Sequence, residues 1–438
     1  MNAPARATGR VVLPPIRKAA LPSGLQAMLI DMPSLPTVVA TVAIRAGSAM
    51  NPLDRPGLAG LVAELTTLGT AAESADRLAE RIDGLGASLT ASAAWDFSTL
   101  SLAGLTADLG EILELVAAMS TRPAFPDSEV ETLRLRSLAD IAARREEPAA
   151  IANEAFAALL YPGHPYGVHP DGDEASTRAV TRDEIRRFHA AHWTPGNALI
   201  LVAGRFDQQV ALRMIEDLFG GWSAAKAAPA ARSPLPPAPA DRLRIIQRPE
   251  FSQTQIRLGH EGIPRSAPDW TAIQVMNYVL GGGGFASRLM DRIRVQRGYT
   301  YGITSQFAAR RDGGPFVVST YTPHAQARDA VREILEVVGS YADEGPTDEE
   351  LESAKQFHVA GYGRAFETPA GVASALLEVE IYGLGEDYIE KRQDAYAAVR
   401  RADVMAAAGE RLHPDRFCLA AVTDTQALGG ELAVPERR

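Results

Sequence analysis

The feature that most restricts what this chain can fold into is that it repeats itself. The stretch TADLGEILELVAAMSTRPAFPDSEVETLR, beginning at Thr106, resembles ARDAVREILEVVGSYADEGPTDEELESAK, beginning at Ala327. Glu111-Ile112-Leu113-Glu114 matches Glu333-Ile334-Leu335-Glu336 at a spacing of 222 residues, and Pro126-x-x-Glu129 matches Pro346-x-x-Glu349 at 220. A third pair, starting at Val180 and Val399, brings Pro195 and Pro414 into register at 219. Three matches at nearly one spacing mean a duplicated domain, a unit too large for a solenoid repeat. Shared over 438 residues, the two copies are each long enough to bury a core. Between them, residues 224–240 (AAKAAPAARSPLPPAPA) carry five prolines and no amphipathic period, so they read as an extended linker. The expected division is therefore 1–223, a linker at 224–240, and 241–438.

Within the first copy, residues 38–46 form a β-rich run, 56–68 and 75–85 read as helices, and 89–105 as a pair of strands. Helices over 105–119 and 127–145 follow, then the loop YPGHPYG, a helix near 182–192 and a closing strand at 198–203. In the second copy Thr347 and Glu350 make a capping box at the equivalent helix start. Strands with helices segregated to one side predict an α+β sandwich.

One stretch in the second copy carries chemistry. Residues 281–302, GGGGFASRLMDRIRVQRGYTYG, open on four glycines, continue as a helix over 287–294 and pass through Gly298 into a strand starting near Tyr299. A helix break at Gly298 lets Arg294 and Tyr301 converge from either side of one turn. A planar donor fork with a neutral O–H suits a peptide carbonyl, or the oxyanion it becomes on attack. The plainer alternative is a glycine-rich turn with a core tyrosine and a surface arginine.

Composition narrows the classes. Hydrophobic content of 46% with 22% charged residues describes a globular chain, and a net charge of −10 without a basic stripe argues against nucleic acid as partner. The single Cys418, in the apolar run FCLAAV, reads as a buried thiol. No apolar span of 18 residues and no leader-like apolar region occurs, so the expected location is cytoplasmic, or periplasmic if a signal peptide has been removed. There is no G-x-S-x-G elbow, P-loop or C-x-x-C, and GGGGFASR does not fit a dinucleotide fingerprint. His189 with His192, and His164 with His169, lack a convergent third ligand and read as structural.

The 281–302 run resembles the GGG-x-x-SRL…R-x-x-x-x-x-G-Y signature of the pitrilysin and mitochondrial-processing-peptidase family of inverted zinc metallopeptidases. That resemblance covers essentially the whole chain and implies two homologous α/β-sandwich domains. It also implies that Arg294 and Tyr301 contact substrate held at a zinc site in an N-terminal half. The family's zinc helix carries H-x-x-E-H after G-L-A and before G-T. Here the matching frame is GLAGLVAELTTLGT, residues 57–70, which puts Gly60 and Glu64 at the two histidine positions and Ala63 at the general base. The later acidic ligand has only Asp140 nearby. A lone carboxylate cannot hold zinc and alanine cannot deprotonate water, so no metal is expected in this chain and 57–68 reads as a structural helix. A chain keeping the Arg/Tyr pair without the zinc ligands resembles the non-zinc subunit of the heterodimeric bacterial members. The implied partner is a homologous zinc-motif subunit that holds the zinc, with a peptide as substrate and no activity expected from this chain alone. Substrate-contacting positions would be Thr90 and Ala91, on a strand to which an extended peptide adds, and Gly282 and Gly283, where the backbone permits close approach. The alternative function is a non-catalytic scaffold or assembly subunit of the same fold.

Overall fold

The computed structural model describes residues 10–223, 233–428 and 430–433, so residues 224–232 of the expected linker lie outside the described residues. The first sheet contains β1 (Ile16–Ala20), β2 (Gln26–Asp31), β3 (Thr37–Ile44), β4 (Ser88–Ala93), β5 (Ser98–Leu105) and β6 (Ala198–Gly204), in the order β1-β2-β6-β3-β5-β4. The second contains β7 (Leu243–Gln247), β8 (Gln253–Glu261), β9 (Ile303–Phe307), β10 (Pro315–Pro323) and β11 (Cys418–Thr423), in the order β7-β11-β8-β10-β9. Apart from the additional β1 these are one topology written twice. In both, the late strand pairs in parallel with the early one, β6 with β2 and β11 with β7, and the other pairings are antiparallel.

The first half carries α1 (Leu58–Leu65), α2 (Ala75–Gly84), α3 (Leu109–Thr121), α4 (Asp127–Arg144), α5 (Pro148–Leu160), α6 (Glu174–Ala179), α7 (Arg182–His192) and α8 (Gln208–Phe219). The second carries α9 (Trp270–Asn277), α10 (Ala327–Glu344), α11 (Asp348–Tyr362), α12 (Pro369–Tyr382), α13 (Tyr388–Ala398) and α14 (Arg401–Arg411). Leu29, Val42, Leu100 and Ile200 of the first sheet pack on Val62, Ile112, Val116 and Ile215. Ile256, Leu258, Phe316 and Leu419 of the second do the same with Ile273, Ile334 and Val338. Thr347 and Glu350 form the expected reciprocal cap, with Thr347 Oγ1 accepting from the Glu350 amide and Glu350 Oε2 from the Thr347 amide.

The expectation of helices on one side of each sheet needs correction. Both sheets are covered on both faces, and the second cover comes from the other half. Val372, Leu376 and Val379 of α12 lie on Met28, Ile30, Val39 and Leu201 of the first sheet. Reciprocally, Phe156 and Leu160 of α5 lie with Val317, Cys418 and Ala420 of the second. Burial on both faces is why β6 is buried at every position instead of alternating. Arg257 of β8, buried in this contact, donates to Asn153 Oδ1 (2.6 Å) and the Ala149 carbonyl (3.1 Å) of α5, and burial lowers its pKa to about 10. Cys418 is buried as expected, and its thiol is pushed up to about 11 by that burial.

This exchange has a consequence for the chain between the halves. Cutting an engineered protease site within 224–240 is expected to leave the two fragments associated, because each retains a helix buried on the other's sheet. Co-elution in size-exclusion chromatography after cleavage checks this.

The equivalent hairpins β4–β5 and β9–β10 meet tip to tip around one carboxylate. Asp96, 5% exposed, accepts from the Tyr166 hydroxyl (2.9 Å), the Tyr382 hydroxyl (2.9 Å) and the Arg311 amide (3.0 Å). The guanidinium of the buried Arg310 stacks over Trp95 at 3.8 Å and Tyr166 at 4.6 Å. Burial, and then the Asp96 charge, raise both phenols well above the ordinary tyrosine range.

A second buried titratable group gives the fold a pH limit. His260, 3% exposed, donates from Nδ1 to the Glu261 carbonyl (2.6 Å) and accepts the His413 amide at Nε2 (3.2 Å), an arrangement that only the neutral ring satisfies. Burial lowers its pKa to about 4. Below the unfolded value near 6.5 the unfolded chain takes up a proton that the folded chain refuses, so stability falls as pH drops from about 6.5 to about 4. His260 alone is expected to remove about 2 kcal/mol between pH 7 and 4.5. Urea midpoints at the two pH values check this, with the loss shrinking in His260→Asn.

Candidate functional site

Of the positions aligned with a zinc motif, Gly60, Glu64 and Asp140 line one groove and Ala63 does not. Gly57, Gly60, Leu61 and Glu64 of the α1 region, Ala91–Ala93 of β4 and Arg136, Ser137, Asp140, Ile141 and Arg144 of α4 line a groove of about 230 Å³. Helix α1 ends at Leu65, three residues before the expected end at Leu68; Leu58, Val62 and Leu65 are buried, while Leu61 and Leu68 are only partly so. A side chain grown at Gly60 would meet nothing within 4 Å, so the position has room for a ligand but no donor. Ala63 is fully buried. The Glu64 carboxylate pairs with the Arg136 guanidinium. Asp140 is exposed, and the neighbouring Ile141 is buried. Among the described residues no group of three His, Cys, Asp or Glu side chains could hold a metal ion. The side chains present do not fit zinc: one carboxylate, already paired with an arginine, stands where the resemblance implies two imidazoles. Arg136 carries no motif of its own, and the signal that finds it is its place one turn before Asp140 on the same helix face.

On the sheet side of this groove, β4 is the outermost strand. Thr90 and Ala91 pair with Ser101 and Leu100 of β5 on one side, and no strand lies on the other among the described residues. In an antiparallel pair alternate residues turn both backbone groups away from the partner strand, and those outward groups are what an added extended peptide would use.

The Arg294 segment differs in detail from expectation. Met290–Gln296 is a helix of wide turns, in which the Arg297 amide bonds the Arg292 carbonyl five residues back. Gly298, at φ +65°, ends it, and β9 begins at Ile303, not near Tyr299. The delay has a local cause. Thr300 Oγ1 donates to the Gly302 carbonyl (2.9 Å) and accepts the Gly302 amide (3.0 Å), folding 299–302 into a turn.

Arg294 and Tyr301 are adjacent, but through the tyrosine backbone. Arg294 Nη1 donates to the Tyr301 carbonyl at 2.7 Å, and its guanidinium stacks over Phe285 at 4.6 Å. The Tyr301 ring is 76% exposed and its hydroxyl has no partner among the described residues. Phe285 (68% exposed) and Val295 (61%) flank the pair. The glycine turn has an internal reason as well. Cβ atoms at Gly282 and Gly283 would lie 2.7 Å from Asn277 Nδ2 and from the Tyr278 carbonyl oxygen, so the turn's own packing excludes side chains there.

The histidine pairs take structural places. His189 Nε2 donates to the Ser120 carbonyl (3.0 Å) and its ring stacks on Trp193, with burial lowering its pKa to about 4. His164 Nδ1 accepts the Tyr166 amide (3.1 Å), and His169 Nδ1 accepts the Asp171 amide (3.2 Å).

Two repeated α+β halves, each with a sheet-edge strand beside a helix, are the two-domain architecture that the sequence resemblance implies. The profile described as "Insulinase (Peptidase family M16)" matches residues 27–170, and "Peptidase M16 inactive domain" matches residues 179–357. The chain belongs to peptidase family M16. It is 27% identical over 341 residues to an uncharacterised zinc protease of Streptomyces coelicolor, covering 77% of this chain and 74% of that one. With an uncharacterised zinc protease of Mycobacterium leprae it shares 29% identity over 342 residues, covering 77% and 76%. Among solved structures, an M16 inactive-domain protein of Pseudomonas fluorescens superposes with a TM-score of 0.86 at 27% identity, covering 93% of this chain and 98% of that one. A protease from Helicobacter pylori shares the fold at a TM-score of 0.88 and 18% identity, covering 94% and 100%. No helix among the described residues is long and apolar enough to cross a membrane.

Proposed function

We propose that this chain is the metal-free subunit of a heterodimeric M16 peptidase, comprising domains 1–223 and 241–438, and that it supplies Arg294 and Tyr301 to a zinc site on a homologous partner. The observation that carries this reading is the asymmetry between the two sites. The groove beside Gly60 offers no imidazole, with Ala63 buried and Glu64 paired to Arg136, while Arg294 and Tyr301 stand on the surface with hydrogen-bond donors to spare. In this reading the partner holds metal and base. The Arg294 fork and the Tyr301 hydroxyl bind the scissile carbonyl and stabilise the charge it gains. Thr90 and Ala91 on the β4 edge, with Gly282 and Gly283 at the glycine turn, are the further substrate contacts. Co-expression with a zinc-motif homologue from the same organism, followed by hydrolysis of quenched fluorogenic peptides, tests it. Turnover by the complex and none by either chain alone is the expected result. A complex equally active with Arg294→Ala and Tyr301→Phe would leave this chain a scaffold subunit.

A further inference from the structure

The helix that carries Arg294 is held in an unusual shape, and the structure assigns that task to Glu333. Glu333 lies on α10 with its side chain 3% exposed, and it receives Arg292 Nε at 2.5 Å and Arg297 Nη2 at 2.5 Å. These two arginines are five residues apart. In a regular α-helix, at 100° per residue, they would point about 140° away from one another. Wider turns, closed by hydrogen bonds to the carbonyl five residues back, bring them much nearer to one face, so a single carboxylate that binds both favours the wide-turn form over the ordinary helix. Burial works to raise the Glu333 pKa, but its two guanidinium partners hold it below the ordinary carboxylate range, keeping the clamp charged. Arg294 lies between the clamped residues, and its phase around the helix follows from theirs.

The first half provides an internal control. Glu111, the repeat counterpart of Glu333, meets a single arginine, Arg81 (3.0 Å), on the counterpart helix α2, and its side chain is 40% exposed. That helix is an ordinary α-helix. The second arginine, the burial of the glutamate and the wide turn therefore occur together in the half that presents Arg294 and Tyr301. Glu333 is accordingly a positioning residue: it touches no substrate and acts through the phase of Arg294. This inference rests on the donor role proposed above.

Two readouts test it, one of them independent of activity. In the purified chain, Glu333→Gln is expected to speed hydrogen exchange of the 290–298 amides at least about tenfold, as the wide turns lose their anchor. In the complex with the zinc-motif homologue, the same variant is expected to lower kcat about tenfold with KM within about threefold, and Arg294→Ala added to it should cost little beyond Arg294→Ala alone. Arg297→Ala, at a side chain 41% exposed, removes one anchor without disturbing the core and should shift both readouts in the same direction. Unchanged exchange in both variants overturns the clamp, as do Glu333→Gln and Arg294→Ala effects that multiply independently. If Arg294→Ala leaves turnover intact while Glu333→Gln still speeds exchange, the donor reading and the positioning role fall together and only the local shape effect survives.

Discussion

Replacing Arg294 with alanine in the assembled peptidase is expected to lower kcat/KM by about 10² to 10³, the cost typical of removing one preorganised donor from a developing oxyanion. The loss should appear mainly in kcat. A guanidinium matched to the charged tetrahedral species contributes less to the neutral ground state. Arg294→Lys should recover little, because one ammonium cannot both hold the Tyr301 carbonyl, as Nη1 does at 2.7 Å, and reach the substrate. Tyr301→Phe removes only a neutral hydroxyl and keeps the exposed ring, so about tenfold is expected. Neither variant should change the thermal stability of the isolated chain by more than a few degrees, since Tyr301 is exposed and Arg294 is partly so. Steady-state kinetics of the complex, with melting curves of each variant, separate a lost donor from a lost fold.

Asp96→Ala is expected to destabilise the chain by about 3–5 kcal/mol, the scale for removing one member of a buried charged network. Three donors converge on this carboxylate: Tyr166, Tyr382 and the Arg311 amide. The first phenol comes from the loop of the first half and the other two groups from the second half, so alanine leaves orphans on both sides of the contact. The cation of Arg310, packed on Trp95 and Tyr166, also loses its nearby countercharge. Asp96→Asn keeps the shape but trades one acceptor for a donor facing a donor, and should cost less. Urea unfolding measures both, and a loss of coincidence between probes placed in the two halves would mark them as uncoupled.

Much of this was readable in the chain, for identifiable reasons. The duplication showed because both copies keep apolar periodicity and prolines at nearly one spacing, and the two sheets do share a strand order. The gapless frame 57–70 put Gly60 and Glu64 on one helix face because helical spacing is rigid, and Asp140 reaches the same groove from α4. The exchange of α5 and α12 was not readable. An apolar helix such as PAGVASALLEVEIY declares that it is buried, but its sequence does not name the sheet that buries it. The wide turn at 290–296 was equally hidden, since IR and RV in that run suit an ordinary helix. What selects the other form is a carboxylate on α10, far along the chain. The Glu64–Arg136 pair lay between these cases, because the arginine's helix face was visible and its partner was not.

If the chain contributes binding donors and no metal, zinc stoichiometry shows it most directly. The purified chain and its complex with a zinc-motif homologue, dialysed against micromolar zinc and measured by elemental analysis beside peptide turnover, are expected to hold about zero and about one zinc per assembly, with chelator-sensitive hydrolysis in the complex alone. One tightly bound zinc in the isolated chain, lost in Glu64→Ala and accompanied by chelator-sensitive cleavage without any partner, would contradict it.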